Sequence, residues 1–261
     1  MANCLCSNSG GRWTEYRQPF VHIHGTDIFA PETYRKLSEE FATVVEHTLS
    51  GTRDCATMAR STPDYDALIL AMSASLCDNF VPMFTCEWKD RIARLFSLPL
   101  TSRIDGALHH VPRGSRPGWL HTDLCSGWFV RTSTLETGQE PVFPDRSRCD
   151  YFRGVPHTPD VQPEEYIRAV SMIYYLNNDG WTEGEGGETG LYSTARSNIG
   201  PRKAIPPKNN TLILFECTPH SFHRLLANPG RHRNSIVVWF HTTSEFGAAR
   251  WGGAIARNRA S

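Results

Sequence analysis

The chain has no run of about 18 apolar residues, so no membrane-spanning helix is expected. Its first residues, MANCLCSNSGGRW, lack the apolar core of a secretory signal, and a cytoplasmic location is the expectation. Net charge is also missing, since 27 Lys plus Arg offset 27 Asp plus Glu. Lysine is scarce, found only at positions 36, 89, 203 and 208. Without a basic face, nucleic acid is not an expected partner. Eight cysteines stand at positions 4, 6, 55, 77, 86, 125, 149 and 217, with no Cys-x-x-Cys spacing among them, so a structural zinc cluster is not expected. A chain of 261 residues can bury a full core without disulfide staples, and free thiols in a reducing compartment are the simplest reading.

What is present is a dense stretch of strand-forming residues from Thr211 to His241. TLILFE is apolar and ends before Pro219, SFHRLL is half-polar, and NSIVVWFH is rich in β-branched and aromatic residues. Pro229 and Gly230 mark a loop before the last of these. Residues two apart on a strand share a face, so Arg233, Ser235 and Val237 point one way. If SFHRLL and NSIVVWFH form a hairpin with Leu225 opposite Ser235, His223 joins that face. An imidazole, a guanidinium and a hydroxyl inside an apolar sheet need partners, because burying them unpaired costs a few kcal/mol.

About a hundred residues upstream, Trp119-Leu120-His121-Thr122-Asp123 offers a partner for His223. His121 and Asp123 are two apart and leave the same face of an extended backbone. Two imidazoles and one carboxylate are the facial triad that holds non-haem iron(II) with open positions. Arg233 beside such a metal suits a carboxylate, which guanidinium binds through two parallel hydrogen bonds, and Ser235 can add a third.

The order H-x-D, a distal His, then Arg ten positions later resembles the iron(II)- and 2-oxoglutarate-dependent oxygenases, and within them the prolyl-4-hydroxylase-like branch. Ile173-Tyr174-Tyr175-Leu176-Asn177, Gly186-Gly187-Glu188, Ser221-Phe222-His223 and Arg233-Asn234-Ser235 carry the same resemblance, over roughly residues 100 to 241. It implies a mainly β fold with flanking helices, a double-stranded β-helix or jelly roll of the cupin-like kind. It implies iron(II) on His121, Asp123 and His223, 2-oxoglutarate as cosubstrate with its far carboxylate on Arg233, Ser235 and Tyr175, and dioxygen as oxidant. Tyr175 is equally readable as an ordinary buried tyrosine. Halogenating relatives have Gly or Ala at the position of Asp123, so a carboxylate there implies hydroxylation or oxidative ring closure.

The rest of the chain divides by pattern. Residues 1–99 read as an N-terminal tail and supporting helices: a loose tail to 18, a short strand at Pro19–Ile23, and helices at Pro31–Leu49, Asp64–Phe84 and Glu87–Phe96. Residues 100–245 read as the jelly-roll core, and 246–261 as a C-terminal tail, within one structural domain. About eight core strands are expected, Trp119–Asp123 among them. Residues 131–166 interrupt the core with an irregular charged stretch, a candidate lid over the site. His22 and His24 are spaced like a ligand pair, but no third ligand matches them and they read as structural. His109 and His110 stand before the metal motif; one could line the pocket, though an ordinary core or surface histidine is the simpler expectation. Glu183, Glu185 and Glu188 read as an exposed acidic turn, or else as an attraction for a cationic substrate.

The expected activity is oxidation of an aliphatic C–H bond in a small hydrophilic natural product or metabolite. Hydroxylation of a protein side chain such as prolyl is the alternative within this chemistry. A zinc hydrolase using the same triad, or a non-catalytic jelly-roll binding module, are the alternatives outside it. The sequence does not name the substrate or the oligomeric state.

Overall fold

The computed structural model describes residues 3–5, 11–51, 56–60, 62–131, 140–196 and 198–256. In chain order, β1 (Asn3–Leu5), β2 (Arg12–Tyr16) and β3 (His22–Thr26) lead into α1 (Pro31–Ser50). β4 (Leu68–Ala71) leads into α2 (Ala74–Phe80), a 3-10 turn (Val81–Met83) and α3 (Cys86–Phe96). Then come β5 (Ile104–Val111), β6 (Ser126–Val130), β7 (Pro163–Tyr175), β8 (Thr189–Tyr192), β9 (Lys203–Ile205), β10 (Thr211–Glu216), β11 (Phe222–Leu225), β12 (Arg233–Thr243) and α4 (Ser244–Trp251). A nine-stranded sheet runs β1-β2-β3-β10-β7-β12-β5-β4, with β6 also on β7, and a three-stranded sheet runs β11-β8-β9. This is the expected mainly β architecture with flanking helices. Among the described residues no helix is long and apolar enough to cross a membrane.

Strand parity sorts the large sheet into two faces. Val170, Met172, Tyr174, Leu212, Leu214, Ile236 and Val238 point outward into one cluster with Leu37, Phe41, Trp88 and Ile92 of the helices. α1 presents that face because Leu37, Phe41 and Val44 recur at helical spacing; Pro31 opens it and Gly51, at φ 74°, caps its last carbonyls. α3 is capped by the Thr85 side chain, which accepts from the Trp88 N–H. Phe41 is fully buried, and truncating it to Ala is of the class that costs about 3–5 kcal/mol. The alternate residues Ile173, Tyr175, Ile213, Phe215 and Val237 face the small sheet and meet Leu191 and Ile205. The polar side chains of interest stand on that inner face.

Several sequence expectations change here. SFHRLL and NSIVVWFH do not pair with each other: β11 pairs with β8 in the small sheet, while β12 lies between β5 and β7 in the large one. His223 and Arg233 still converge, but from facing sheets, because the loop between them crosses from one layer to the other. The amino-terminal stretch is not all loose tail, since β2 pairs with β3 along its whole length. Asp64–Phe84 is not one helix; its first half supplies β4, the edge of the large sheet beside β5. The N-terminal hundred residues therefore add strands as well as helices to the core. Trp119–Asp123 is not a strand but makes one bridge, His121 to His223. The end of the 131–166 interruption is the start of β7, and residues 140–162 fold against the sheet with Cys149, Tyr151 and Val161 buried. Residues 132–139 lie outside the described residues.

Candidate metal centre and anion pocket

The bridge between His121 and His223 is what assembles the first site. Their backbones exchange hydrogen bonds, His121 N–H to the His223 carbonyl at 3.2 Å and the reverse at 2.9 Å. The two rings stand 4.4 Å apart, centre to centre. Asp123 reaches between them, with Oδ1 3.5 Å from His121 Nε2 and Oδ2 3.4 Å from His223 Nε2. One ligand atom from each residue lies within 4.8 Å of the others, and no other such group of three occurs among the described residues. Each imidazole donates Nδ1–H to a carbonyl two residues back, Trp119 at 2.9 Å and Ser221 at 3.1 Å. A carbonyl can only accept, so both Nε2 atoms carry the lone pair a metal needs. Burial favours the neutral form of Asp123, but in the absence of a metal the His223 and His121 rings, when protonated on Nε2, outweigh it and hold the carboxyl well below the usual range.

Two side chains that the sequence reading passed over fix Asp123. The Ser171 hydroxyl and the Trp239 indole N–H, the latter at 3.0 Å, both donate to Oδ2. Parity could have found them: Ser171 is four residues before Tyr175 and Trp239 four after Ser235, on the same face.

The second site adjoins the first along β12. Arg233 is 4 % exposed. It donates to Ser235 Oγ at 2.9 Å and Thr189 Oγ1 at 3.2 Å, and lies 5.1 Å from the centre of the Tyr175 ring. Tyr175 and Thr189 share a hydrogen bond at 2.7 Å. Tyr175, Ser235 and Arg233 are thus brought together, and Thr189 joins them from β8, where no sequence signal announced it. Gly186 and Gly187, at φ 88° and 79°, make the turn that starts that strand; a Cβ on Gly186 would strike the Ala227 carbonyl. No ion pair to Arg233 occurs among the described residues, and its buried Nε has no hydrogen-bond partner. A buried guanidinium satisfied only by hydroxyls fits a carboxylate-bearing ligand.

The remaining candidates divide. His22 is fully buried with Nδ1–H on the Phe20 carbonyl at 2.9 Å, and burial pushes it down to about 4. It and His24 lie outside the group formed by His121, Asp123 and His223. His110 bonds Asn234 at 2.7 Å on the outer face, whereas His109 faces inward. Glu185 pairs with Arg231 at 3.2 Å and Glu188 is buried, so the acidic turn is not a free anionic patch. In the interruption, Arg146 binds Asp105 at 2.7 Å, Arg148 lies 3.5 Å from Asp160, and Asp145 and Asp150 accept from neighbouring backbone N–H groups. Most of its described charges are consumed internally.

Comparison with known proteins agrees with this geometry. Residues 147–241 match the model of the 2OG-Fe(II) oxygenase superfamily, a stretch that includes Tyr175, His223, Arg233 and Ser235 and begins after His121 and Asp123. Prolyl 3-hydroxylase OGFOD1 of Xenopus laevis is 35 % identical over 81 residues, which span 30 % of this chain and only 16 % of that protein. A Pseudomonas putida prolyl-4-hydroxylase structure superposes with TM-score 0.54 and 17 % identity, over 84 % of this chain and 91 % of that one. A Trichoplax adhaerens prolyl hydroxylase, solved with a hypoxia inducible factor peptide fragment, gives TM-score 0.51 and 12 % identity over 87 % and 86 %. At these identities the structures speak for the fold.

Proposed function

We propose that this chain is an iron(II)- and 2-oxoglutarate-dependent dioxygenase of the 2OG-Fe(II) oxygenase superfamily, in its prolyl-4-hydroxylase-like branch, and that it hydroxylates a prolyl residue of a protein. The observation that carries the reading is the Arg233 guanidinium, buried without a carboxylate among the described residues and next to the triad. His121, Asp123 and His223 would hold iron(II) on one side and leave the other side open. Arg233 would bind the far carboxylate of 2-oxoglutarate, with Ser235 and Tyr175 adding neutral hydrogen bonds. Ser171 and Trp239 would keep Asp123 turned toward the metal by holding Oδ2. When bound, iron(II) with 2-oxoglutarate and dioxygen supplies the oxidant for an aliphatic C–H bond, with succinate and carbon dioxide as co-products.

A prolyl ring is preferred over a small hydrophilic metabolite for two reasons. The charged residues expected to greet a polar substrate are paired off, Arg146 with Asp105 and Glu185 with Arg231. Two exposed aromatic side chains stand toward the site: Trp119, 47 % exposed and packed on His121, and Phe152, 46 % exposed and 5.8 Å from the Arg168 guanidinium, which itself stacks on Trp239. Phe152 belongs to residues 140–162, so that segment would take part in substrate choice.

The test is succinate release with iron(II), 2-oxoglutarate and a panel of proline-containing peptides and polyhydroxylated metabolites. Stimulated release and a peptide product carrying one added oxygen are expected. Stimulation by metabolites alone would overturn the prolyl reading. No iron-dependent succinate with either panel would overturn the oxygenase reading and favour a zinc hydrolase or a binding module. His121→Ala, Asp123→Ala and His223→Ala should each abolish iron binding and turnover and leave the fold intact by circular dichroism. His220, exposed in the turn after Pro219, should be replaceable by Ala at no cost to either.

A further inference from the structure

One buried side chain between the two sites has no part in the reading above. His109 on β5 lies opposite Ser235 on β12, and Ser235 lies opposite Tyr175 on β7. Directly paired residues of antiparallel strands project to the same face, so imidazole, hydroxyl and phenol stand in one row across the sheet, with Arg233 two residues along. His109 is 8 % exposed, and its ring feels both the Arg233 guanidinium and the Asp123 carboxylate. It therefore stands between the anion pocket and the metal corner. Burial first, then Arg233, push it down to about 3, so the ring is neutral at physiological pH.

His109 also has a partner. Its Nδ1 is 3.5 Å from the Tyr65 hydroxyl, which comes from the segment ahead of β4. The Tyr65 ring meets Trp119 edge-on at 5.6 Å, and Trp119 lies 5.5 Å from His121. His109, Tyr65, Trp119 and His121 thus form a continuous aromatic wall from the anion pocket to the metal corner. In the tautomer that carries the ring proton on Nε2, Nδ1 accepts from the Tyr65 hydroxyl and the N–H is left for a ligand.

We propose that His109, oriented by Tyr65, is a further binding residue for the diacid cosubstrate and limits the length of diacid accepted. The inference rests on the 2-oxoglutarate reading. Arg233 fixes one end of the ligand and the metal corner the other, so the group packed beside the middle decides which chain length fits. Level with Ser235, a neutral imidazole offers one N–H to an oxygen of the far carboxylate and adds no second positive charge beside Arg233. It selects by shape and by a single directed bond.

The experiment uses the full chain loaded with iron(II) without oxygen, titrated calorimetrically with 2-oxoglutarate and with 2-oxoadipate, one methylene longer. His109→Ala should weaken 2-oxoglutarate about tenfold, leave iron affinity unchanged, and narrow the preference for 2-oxoglutarate over 2-oxoadipate. Tyr65→Phe should act in the same direction, about threefold. His109→Gln, which keeps a donor and most of the volume, should bind close to the parent. His109→Leu, which keeps volume alone, should bind as weakly as His109→Ala. Parent-like binding by His109→Ala or His109→Leu, or an unchanged length preference in His109→Ala, overturns the proposal while the cosubstrate reading stands. A parent protein that takes up iron(II) and then binds neither diacid overturns the cosubstrate reading, and this inference with it.

Discussion

Two buried arginines line the inner side of the large sheet, and they are satisfied in opposite ways. Arg168 lies 3.3 Å from the Asp105 carboxylate, donates Nε–H to the Tyr151 hydroxyl at 3.0 Å, and stacks 3.8 Å from the centre of the Trp239 ring. Asp105 also takes Arg146, and Tyr151 meets His241 Nε2 at 2.8 Å. His241 donates Nδ1–H to the Arg103 carbonyl at 3.0 Å, so its Nε2 accepts from Tyr151. Each guanidinium in that chain has the Asp105 carboxylate as counter-charge, although Arg146 Nη1 is left without a hydrogen-bond partner. Arg233 has two hydroxyls, a bare Nε and no ion pair among the described residues. Guanidinium is costly to bury, so the first cluster commits its charge to the fold and the second leaves its charge for a ligand.

The sharpest way to break this contrast is to remove Asp105. Burial alone would raise its carboxyl; Arg146 and Arg168 overcome that and hold it below the usual range. Asp105→Asn leaves Arg168 buried without its counter-charge and should cost about 3–5 kcal/mol of stability in urea unfolding. Arg233→Met strands no carboxylate and should stay within about 1 kcal/mol of the parent. Equal losses in the two variants would mean that the arginines do the same work and the contrast is empty.

Next in size is the ligand side of the same pair. Arg233→Met should weaken 2-oxoglutarate by about 2–5 kcal/mol, roughly thirtyfold or more, at unchanged iron affinity. A loss of iron binding in parallel would show that the variant damages the triad rather than the pocket.

Acid titration sharpens the comparison further. Burial, with Arg168 next in size, pushes His241 down to about 3, and burial pushes His22 down to about 4, both from 6.5. Below pH 6.5 the unfolded chain binds protons that the folded chain refuses, so stability falls as pH drops from about 6.5 toward these lowered values. Each histidine contributes a slope of roughly 1 kcal/mol per pH unit. Urea unfolding at pH 7, 6 and 5 should show the decline, and His241→Gln should lessen its slope. The depressed carboxyl of Asp105 works in a lower window: its contribution is present above its unfolded value near 4 and is lost as pH falls through the lowered one. A flat profile between pH 7 and 5 would mean that these rings take up protons in the folded chain as readily as in the unfolded one, and the closed cluster would then be wrongly drawn.

The open cluster was legible in the sequence and the closed one was not. Arg233, Ser235 and His223 sit in a short stretch with strand parity and ordered spacing, and His121 and Asp123 form one motif. The hairpin drawn to unite them was wrong, yet the result survived, because facing sheets bring the same side chains together as neighbouring strands would. The Asp105 cluster draws on β5, β7, β12 and residues 146 and 151 of an irregular stretch, and nothing in spacing ties those together. That stretch read as a lid, or else as a disordered solvent loop, because charge alone does not tell an exposed arginine from one buried against a carboxylate. Its described part is tied into the core by Arg146 and Tyr151, so cutting it out would also strip partners from Arg168 and His241. Thr189 was hidden for the same reason, its value lying in a contact between sheets. β4 was missed because the run from Asp64 carries apolar residues compatible with either period until β5 pairs with it.

The finest test lies within the open cluster. Ser235 is fully buried and accepts from Arg233 Nη1, so its own proton is free to donate elsewhere. A carboxylate on Arg233 would receive that proton as a second, neutral contact. Ser235→Ala removes one neutral donor and leaves the guanidinium in place, so the expected loss is about 1 kcal/mol, roughly fivefold in 2-oxoglutarate affinity. Folding stability should change less than affinity, because the hydroxyl packs beside a group that keeps its Thr189 bond. The order of effects matters more than either value. Arg233→Met well above Ser235→Ala is what a bidentate charged clamp with a neutral helper produces. If the two variants lose equally, or neither loses anything, the ligand of this pocket is not a carboxylate held by Arg233.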